Sequence, residues 1–403
     1  MITPVMPGSP LLMKPSENIT ILGTLPPLRG LSGYCREFTL AMADTRRVEF
    51  LSFKSLYPSA LYPGGGLRED DTFPPAAHGN LTVRTRLRWC NPLTWLTEGL
   101  TATGQLLHAQ WWSLPLAPIY MTICLCFRLK RKPVVMTVHN VMPHERSRLY
   151  NAVSAALFRF ADHFIVHTER NRRRLMAQYG IAADRISVIA HGPLACFIAP
   201  DQDREALRHE LGISADERML LCWGAIRPYK GLDTLLKAFA KILERLPHTR
   251  LVIAGKLWEP WDRYQSLIDR LNIESHLILH LDYVPAGEAA RYFVAADLVV
   301  LPYHCFDSQS GVGAASVAFR KPLIVSDTGG LPDFVRDSRW VTPPGNPDAL
   351  ADAIVTCLSD ARCLDAMARD AADVAAAISW LGIVRKTNLV YRRLQRGGER
   401  WDI

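Results

Sequence analysis

The feature that most constrains the fold of this 403-residue chain is the alternation of short apolar runs with longer amphipathic stretches. This alternation is typical of parallel α/β layers, in which a helix follows each strand and covers the sheet. The series starts near residue 19 and restarts near residue 219, which indicates two doubly wound, Rossmann-like domains. The predicted strands are 19–24, 48–53, 106–110, 134–139, 163–167, 186–190, 219–224, 251–255, 277–281, 298–302 and 323–325.

The length of the chain agrees with two domains, since a domain usually holds about 100–200 residues. We expect an N-terminal domain over residues 1–197 and a C-terminal domain over residues 198–375. The last segment, 376–403, has helical periodicity and is expected to return to the first domain. Residues 57–80 are rich in glycine and proline and predict a long irregular loop.

Composition narrows the function classes. Apolar residues make up 49% of the chain and charged residues 21%, which excludes disordered and fibrous proteins. The nine cysteines form no Cys-x-x-Cys pair and no zinc-ligand spacing, so we expect buried thiols in a reducing compartment and no metal site. The chain shows no convincing secretory signal, and the expected location is the cytoplasm.

Positive charge is concentrated in the first half of the chain. Residues 1–197 carry 22 Lys and Arg against 12 Asp and Glu, whereas residues 198–403 carry 25 against 27. The basic clusters 128–132 and 170–174 fit either solvated helix ends or a surface that faces phosphates or an anionic membrane. The apolar run 114–127 is shorter than the ~20 residues that span a bilayer, so it predicts a buried helix, with an interfacial segment as the alternative. Nucleic-acid binding is not expected, because no aromatic-basic module accompanies the charge.

In doubly wound folds, ligands bind beyond the carboxyl ends of the strands. After the first predicted strand, Gly30, Ser32 and Gly33 open a helix, where glycine backbones and the helix N-terminus can approach an anion or a sugar. The loop is not Gly-x-Gly-x-x-Gly, and no acidic residue follows the next strand to bind a ribose. A nicotinamide cofactor is therefore not expected, nor is any other cofactor.

Two segments of the second half are candidate anion sites. Arg227 and Lys230 lie in Gly-Ala-Ile-Arg-Pro-Tyr-Lys-Gly, between a strand and a helix, and are a compact binder for a diphosphate; a simple basic turn is the alternative. Farther along, Ser310, Gly311 and Val312 open another helix, so that their backbone N–H groups can face phosphate oxygens, with Gln309 beside them.

The order of these blocks, with 298–303, 322–326 and Gly-Gly-Leu-Pro-Asp at 329–333, resembles the donor domain of glycosyltransferase family 4 enzymes of the GT-B fold. In the first half, 108–112, 137–145 and the stretch from 166 to 192 are similar to the acceptor-domain strand ends of the same group. The resemblance implies two Rossmann-like domains that face each other across a cleft. It also implies metal-independent transfer of a hexose from a nucleotide-diphosphate sugar to a sugar or lipid-linked acceptor.

The resemblance further implies roles for individual residues. Arg227 and Lys230 would stabilise the negative charge that the leaving diphosphate gains, helped by the amides of Ser310, Gly311 and Val312. His139 would lie near the reacting carbon, a buried structural histidine being the alternative. An inverting enzyme also needs a general base, for which His139, Glu145 and Asp307 are the candidates. The residues expected at the acceptor or the sugar are Gly30, Ser32, Gly33, Trp111, Trp112, Asn140 and His191.

One departure from the family pattern concerns two glutamates eight positions apart, which here are Asp307 and Ala315. In lacking the second glutamate, the sequence is similar to the β-mannosyltransferases of xanthan-type exopolysaccharide synthesis. These enzymes use GDP-mannose and invert the anomeric centre. The sequence predicts a glycosyltransferase of cell-surface polysaccharide or glycolipid synthesis, with a glycan or polyprenyl-diphosphate-linked acceptor and peripheral contact with the inner face of the cytoplasmic membrane. The alternatives are an inverting mannosyltransferase and a catalytically silent scaffold.

Overall fold

The computed structural model describes residues 18–58, 69–141, 148–199 and 202–395, and two parallel β-sheets dominate it. The first sheet has the strand order β3-β2-β1-β4-β5-β6-β7, and the second has the order β10-β9-β8-β11-β12-β13. The strands are β1 (Ile19–Leu22), β2 (Val48–Ser55), β3 (Leu81–Arg88), β4 (Leu107–Trp111), β5 (Val134–Val138), β6 (His163–Val166), β7 (Ile186–Val188), β8 (Arg218–Trp223), β9 (Thr249–Ala254), β10 (Leu277–His280), β11 (Leu298–Leu301), β12 (Leu323–Ser326) and β13 (Val341–Thr342).

Helices cover both faces of each sheet, as the predicted α/β class requires. We refer to the part of the molecule built on the first sheet as the first lobe and to the part built on the second sheet as the second lobe. The α-helices are α1 (Ser32–Ala43), α2 (Pro92–Thr101), α3 (Ala117–Leu129), α4 (Arg148–Phe158), α5 (Glu169–Tyr179), α6 (Arg204–Glu210), α7 (Leu232–Arg245), α8 (Asp262–Leu271), α9 (Ala286–Ala295), α10 (Gly311–Ala318), α11 (Pro347–Leu358), α12 (Ala361–Ala377) and α13 (Trp380–Gln395).

The eleven predicted strands are all present, and none of their ends differs from the prediction by more than two residues. Their apolar runs are continuous because strands covered by helices on both faces bury every side chain; Val134–Val138 and Leu298–Leu301 are buried throughout. The two strands that the sequence analysis missed are β3 and β13, which lie at sheet edges. β3 contains three arginines and buries only Leu87, so its apolar content is too low to stand out.

The C-terminal helix α13 lies against the first lobe, where it packs on α1. Its Tyr391 is fully buried, and the Tyr391 hydroxyl lies 2.6 Å from Nδ1 of His108, while Nε2 of His108 lies 2.7 Å from Thr137 Oγ1. Burial lowers the pKa of His108 to about 3, so this imidazole is neutral. The division into residues 1–197, 198–375 and 376–403 stays a prediction, and this contact is the observation that favours its last part.

Within residues 18–58, 69–141, 148–199 and 202–395, no helix is long and apolar enough to cross a bilayer.

Replacing Tyr391 by Phe is expected to lower the free energy of unfolding by about 1–3 kcal/mol, because it leaves a buried nitrogen of His108 without its partner. Urea unfolding measures the change. Leu389→Ala is the matched control on the same helix; Leu389 is exposed, and its loss should change stability by less than about 0.5 kcal/mol. Equal stability of Tyr391→Phe and the wild type would contradict the prediction.

Candidate active site

The carboxyl ends of the two sheets face each other across a cleft that contains two adjoining cavities. The larger has a volume of about 370 Å³; Arg29, Gly30 and Phe73 of the first lobe form one wall, and the second lobe forms the rest. The smaller has a volume of about 250 Å³ and lies mainly against the first lobe. Gly30, Phe73 and Gly311 line both, so the two cavities are neighbours.

The loop after β1 lies between the two cavities, as the sequence predicts. Gly30 has φ +94° and faces the indole of Trp112, whose ring a Cβ at this position would approach to 3.1 Å. Helix α1 begins at Ser32 without a side-chain cap, and Gly33 in its first turn lines the smaller cavity. Ser32 itself is buried.

A chain of hydrogen bonds holds His139 in one tautomer. Nδ1 of His167 lies 3.0 Å from the carbonyl oxygen of Ile189, which only accepts, so His167 carries its proton on Nδ1. Its Nε2 therefore accepts, at 3.0 Å, from Nδ1–H of His139. Burial lowers the pKa of His139 well below 6.5 and that of His167 to about 4, which keeps both rings neutral.

This series of hydrogen bonds ends at Gln110 and determines the orientation of its side-chain amide. Nε2 of neutral His139 must accept, yet the atom 2.9 Å away is assigned as Oε1 of Gln110, while Nε2 of the same buried Gln110 has no partner among the described residues. Rotating the amide by 180° places its NH₂ group against His139 and satisfies the pair. Both ring nitrogens of His139 are then engaged, so a base at His139 would first have to release a partner.

His191 offers the smaller cavity a different group. Its Nδ1–H donates to the carbonyl oxygen of Gly192 at 2.7 Å, and burial lowers its pKa to about 3, so Nε2 keeps a lone pair. His191 and Asn140 both line the smaller cavity. Together they supply an acceptor nitrogen and an amide at the same wall, a combination suited to hydroxyl groups.

The two basic residues of the second lobe, Arg227 and Lys230, lie at different positions relative to the larger cavity. Lys230 lines the larger cavity and is half-buried, with Nζ 5.5 Å from the ring centre of Tyr303; desolvation lowers its pKa to about 8. Its close approach requires Gly224, where a Cβ would lie 2.9 Å from Nζ. Arg227 lies beside the cavity, with its guanidinium 3.5 Å from the ring centre of Trp258, which does line it.

The N-terminus of α10 forms the floor of the larger cavity, with Ser310, Gly311 and Val312 in its lining. Ser310 is the N-cap, and its Oγ accepts from Val312 N–H at 3.2 Å and from Gly313 N–H at 3.4 Å. The amide of Val312 is thus already bonded, although the sequence analysis expects it to face a phosphate. Since α10 carries no acidic residue in its first turn, this end of the helix favours an anion.

Gln309 joins the two lobes. Its Oε1 accepts from the backbone N–H of His191 at 2.6 Å, and its Nε2 donates to Asp333 Oδ2 at 3.0 Å. It lines the smaller cavity rather than the larger one, which differs from the expected contact with a diphosphate. The sequence could not reveal this partner, because His191 is 118 positions away.

Trp111 and Asp307, two of the expected site residues, line neither cavity. Trp111 is fully buried in the core of the first lobe, packed edge-to-face on Tyr120, because successive side chains of β4 point to opposite faces of the sheet. Trp112, the next residue, lines the smaller cavity. Asp307 forms an ion pair with Arg174 of α5, across the lobes, and lines neither cavity. Glu145 lies outside the described residues.

Residues 69–73 of the first lobe cross to the second lobe and bind the start of α9. Asp70 Oδ2 accepts from Ala286 N–H at 2.7 Å and from the Tyr283 hydroxyl at 2.6 Å, and Thr72 Oγ1 accepts from Gly287 N–H at 3.0 Å. Burial raises the pKa of Asp70, but its hydrogen bonds outweigh burial and hold it below the ordinary value. This contact closes one end of the larger cavity, and neither Asp70 nor Tyr283 stood out in the sequence.

Among the described residues, no group of three or more His, Cys, Asp or Glu side chains is arranged to hold a metal ion.

Comparison with known protein families agrees with this architecture. Residues 203–374 match the family model "Glycosyl transferases group 1", and residues 103–192 match "Glycosyltransferase Family 4". Both matched regions are those of glycosyltransferases, and the chain has the GT-B fold. Its second lobe and the later part of its first lobe are thus each assigned by an independent match.

Individual relatives are similar to this chain in sequence, and solved structures are similar to it in fold. It is 32% identical to the D-inositol 3-phosphate glycosyltransferase of Corynebacterium glutamicum (strain R) over 241 residues, 57% of each chain. The chain thus spans less than two thirds of that relative. The structure of Anabaena Alr3699/HepE in complex with UDP-glucose superposes with a TM-score of 0.70 at 19% identity, covering 93% of this chain and 99% of that one. The sucrose-phosphate synthase of Thermosynechococcus elongatus gives 0.68 at 18% identity, covering 95% and 100%. These likenesses establish the GT-B fold.

The two adjacent tryptophans provide a test of the cleft. Trp111→Ala is expected to lower the free energy of unfolding by about 3–5 kcal/mol, as truncation of a buried aromatic ring does. Trp112→Ala should cost clearly less, since Trp112 is half-buried and its removal enlarges the smaller cavity. Urea unfolding of both variants measures the difference. Equal losses would contradict the assignment of Trp111 to the core and Trp112 to the cleft.

Proposed function

We propose that the chain transfers a hexose from a nucleotide-diphosphate sugar to a glycan or lipid-linked acceptor in cell-surface polysaccharide or glycolipid synthesis. The observation that carries this proposal is the wall of the larger cavity, where Lys230 and the N-terminus of α10 lie together. Both present positive charge or N–H groups to an enclosed space between the lobes. The volume of about 370 Å³ is within the range of small-molecule sites.

The chemistry that this wall favours is departure of a diphosphate. When the bond to the anomeric carbon breaks, the leaving nucleotide gains negative charge, which fixed cations and helix termini stabilise in the transition state. Lys230 supplies an ammonium group, and Arg227, stacked on Trp258, supplies a guanidinium at the rim. The aromatic lining, which includes Trp258 and Tyr229, suits the flat base of a nucleotide. The related Anabaena protein was solved with UDP-glucose, which supports this donor class.

The smaller cavity adjoins the larger one and would receive the acceptor. Nε2 of His191 and the amide of Asn140 are the groups that can bind an acceptor or donor hydroxyl there. Of the three proposed bases, His139 has both nitrogens engaged and Asp307 is paired with Arg174. These engagements favour a reaction in which the leaving phosphate takes the acceptor proton, as in retaining transfer. The inverting, GDP-mannose-dependent reaction remains the alternative that the xanthan-type resemblance suggests.

A catalytically silent scaffold is the second candidate function. It rests on Ala315, which is buried in α10 where the family pattern has the ribose-binding glutamate. The proposed location is the cytoplasm, with peripheral contact at the inner face of the membrane, where a polyprenyl-diphosphate-linked acceptor would be reached. The basic first half of the chain supports this contact through its attraction to anionic lipid.

Loss of the basic pair distinguishes enzyme from scaffold. A panel of nucleotide sugars is screened for binding by thermal shift, and turnover is then measured as nucleotide release. The double variant Arg227→Ala, Lys230→Ala is expected to lose at least about 10³-fold in kcat, since one oxyanion-type donor is worth about 10²–10³. Lys237→Ala, exposed on α7, is the matched control and should keep full activity. Wild-type protein that binds no nucleotide sugar would support the scaffold.

Binding of the product nucleotide is expected to depend on pH through Lys230. Burial lowers the Lys230 pKa to about 8, so the ammonium group is present below pH 8 and is lost as the pH rises above it. A diphosphate binds the charged form more tightly, and the Kd for UDP or GDP should therefore increase between pH 7 and pH 9.5. Calorimetric titration measures it. Lys230→Met should bind more weakly with a flat profile, and a flat wild-type profile would exclude this role.

A further inference from the structure

Helices α2 and α3 cover one face of the first sheet and leave five leucines exposed to solvent. Each of these side chains keeps between 44% and 72% of its surface accessible, a large fraction for leucine. We call this set the leucine face. Its members are Leu93, Leu96 and Leu100 of α2 and Leu125 and Leu129 of α3.

The orientation of α2 explains why its leucines point away from the protein. Glu98 is buried against Arg84 of β3, with 2.7 Å between Oε2 and Nε, so this side of the helix faces the sheet. Gly99 faces α3, where a Cβ would lie 2.8 Å from Cys126 Sγ. Leu93, Leu96 and Leu100 recur at i, i+3 and i+7 and share the remaining, outward side of the helix.

The outward side of α3 continues this surface. Leu125 and Leu129 are one turn apart, and their neighbours Cys124 and Phe127 are buried against the sheet. Because α2 and α3 pack directly on each other, the two leucine stripes form one apolar surface. This is the apolar run for which the sequence left both a buried helix and an interfacial segment open; one side of α3 is buried and the other is exposed.

The exposed charges around the leucine face are mostly positive, and Arg128 of α3 is paired with Asp162. Between residues 81 and 132 the chain has seven Lys and Arg but only one acidic residue, Glu98, which is buried. Arg86 and Arg88 are exposed at the edge strand beside α2, where Arg86 also lies 3.9 Å from the carboxylate of the buried Glu98. Arg131 is exposed after α3. Lys130 and Lys132 instead donate to carbonyl oxygens at the end of α2, which stabilises the helix pair.

We propose that the leucine face, with Arg86, Arg88 and Arg131 at its rim, docks on a bilayer that contains anionic lipid. Apolar side chains on a flat helical layer can enter the region between headgroups and acyl chains, and the arginines bind the phosphates above them. A second copy of this chain fits the face poorly, because a two-fold contact would bring the arginines of both copies together. The inference rests on the proposed function, since a lipid-linked acceptor gives the docking its purpose.

Vesicle flotation of the full chain tests the proposal. The wild type should float with phosphatidylcholine vesicles that contain phosphatidylglycerol, and binding should fall with added salt. The triple variant Leu93→Gln, Leu100→Gln, Leu129→Gln should lose at least tenfold in vesicle affinity. Arg86→Gln with Arg88→Gln should remove the preference for the anionic vesicles. Leu389→Gln, an equally exposed leucine on α13, is the matched control and should bind like the wild type.

The outcomes separate this inference from the proposed function. Each variant changes exposed side chains away from the cleft, so nucleotide-sugar binding and melting temperature should stay unchanged and report intact folding. Wild-type protein that does not float, or leucine variants that float like the wild type, would overturn the inference even if turnover is found. A dimer in solution that the leucine variants abolish would assign the face to a second copy and likewise overturn it. Flotation without any nucleotide binding would support the docking surface and contradict the transferase proposal.

Discussion

The constraint on which the rest of the structure depends is that parallel strands all end at the same edge of their sheet. In this chain two such edges face each other, so the loops that follow most of the strands contribute to one cleft. Gly30 and Trp112 come from the first sheet, while Lys230 and Ser310 come from the second. Residues that are up to 280 positions apart thereby share one small volume, and no local interaction could bring them together.

Burial of a cation at this meeting point has a cost that an anion would offset. Lys230 Nζ lies 5.5 Å from the ring centre of Tyr303, and desolvation lowers its pKa to about 8, so its surroundings disfavour the charged form. In the smaller cavity the buried histidines avoid this cost because they are neutral. His139 and His167 satisfy each other through a fixed order of donors and acceptors and carry no charge. The two cavities are therefore adjacent but electrostatically different: an ammonium group lines the larger one, and neutral imidazoles line the smaller one.

Most of the framework follows from the sequence, because strands covered on both faces are continuous apolar runs and are easily recognised. The edge strand β3 is not predicted, although Leu81 and Leu87 alternate with arginines. Its solvent-facing side carries polar residues, so its apolar content is low. Loop positions after strands were located well, and Gly30, His191 and Lys230 all line the cleft. What the sequence could not give is which of two neighbouring tryptophans points inward, since that depends on the register of β4.

Hydrogen-bond partners that lie far apart in the chain could not be predicted from the sequence either. The proton order along His167, His139 and Gln110 depends on a carbonyl of another strand, and Gln309 finds its partner in the opposite lobe. The bonds of Asp70 and Thr72 to the first turn of α9 belong to the same class. The bonds of Gln309, Asp70 and Thr72 span the lobes, so any parting of the lobes must break them and expose the first amides of α9. Opening of the cleft at this end and rupture of these bonds are therefore a single event.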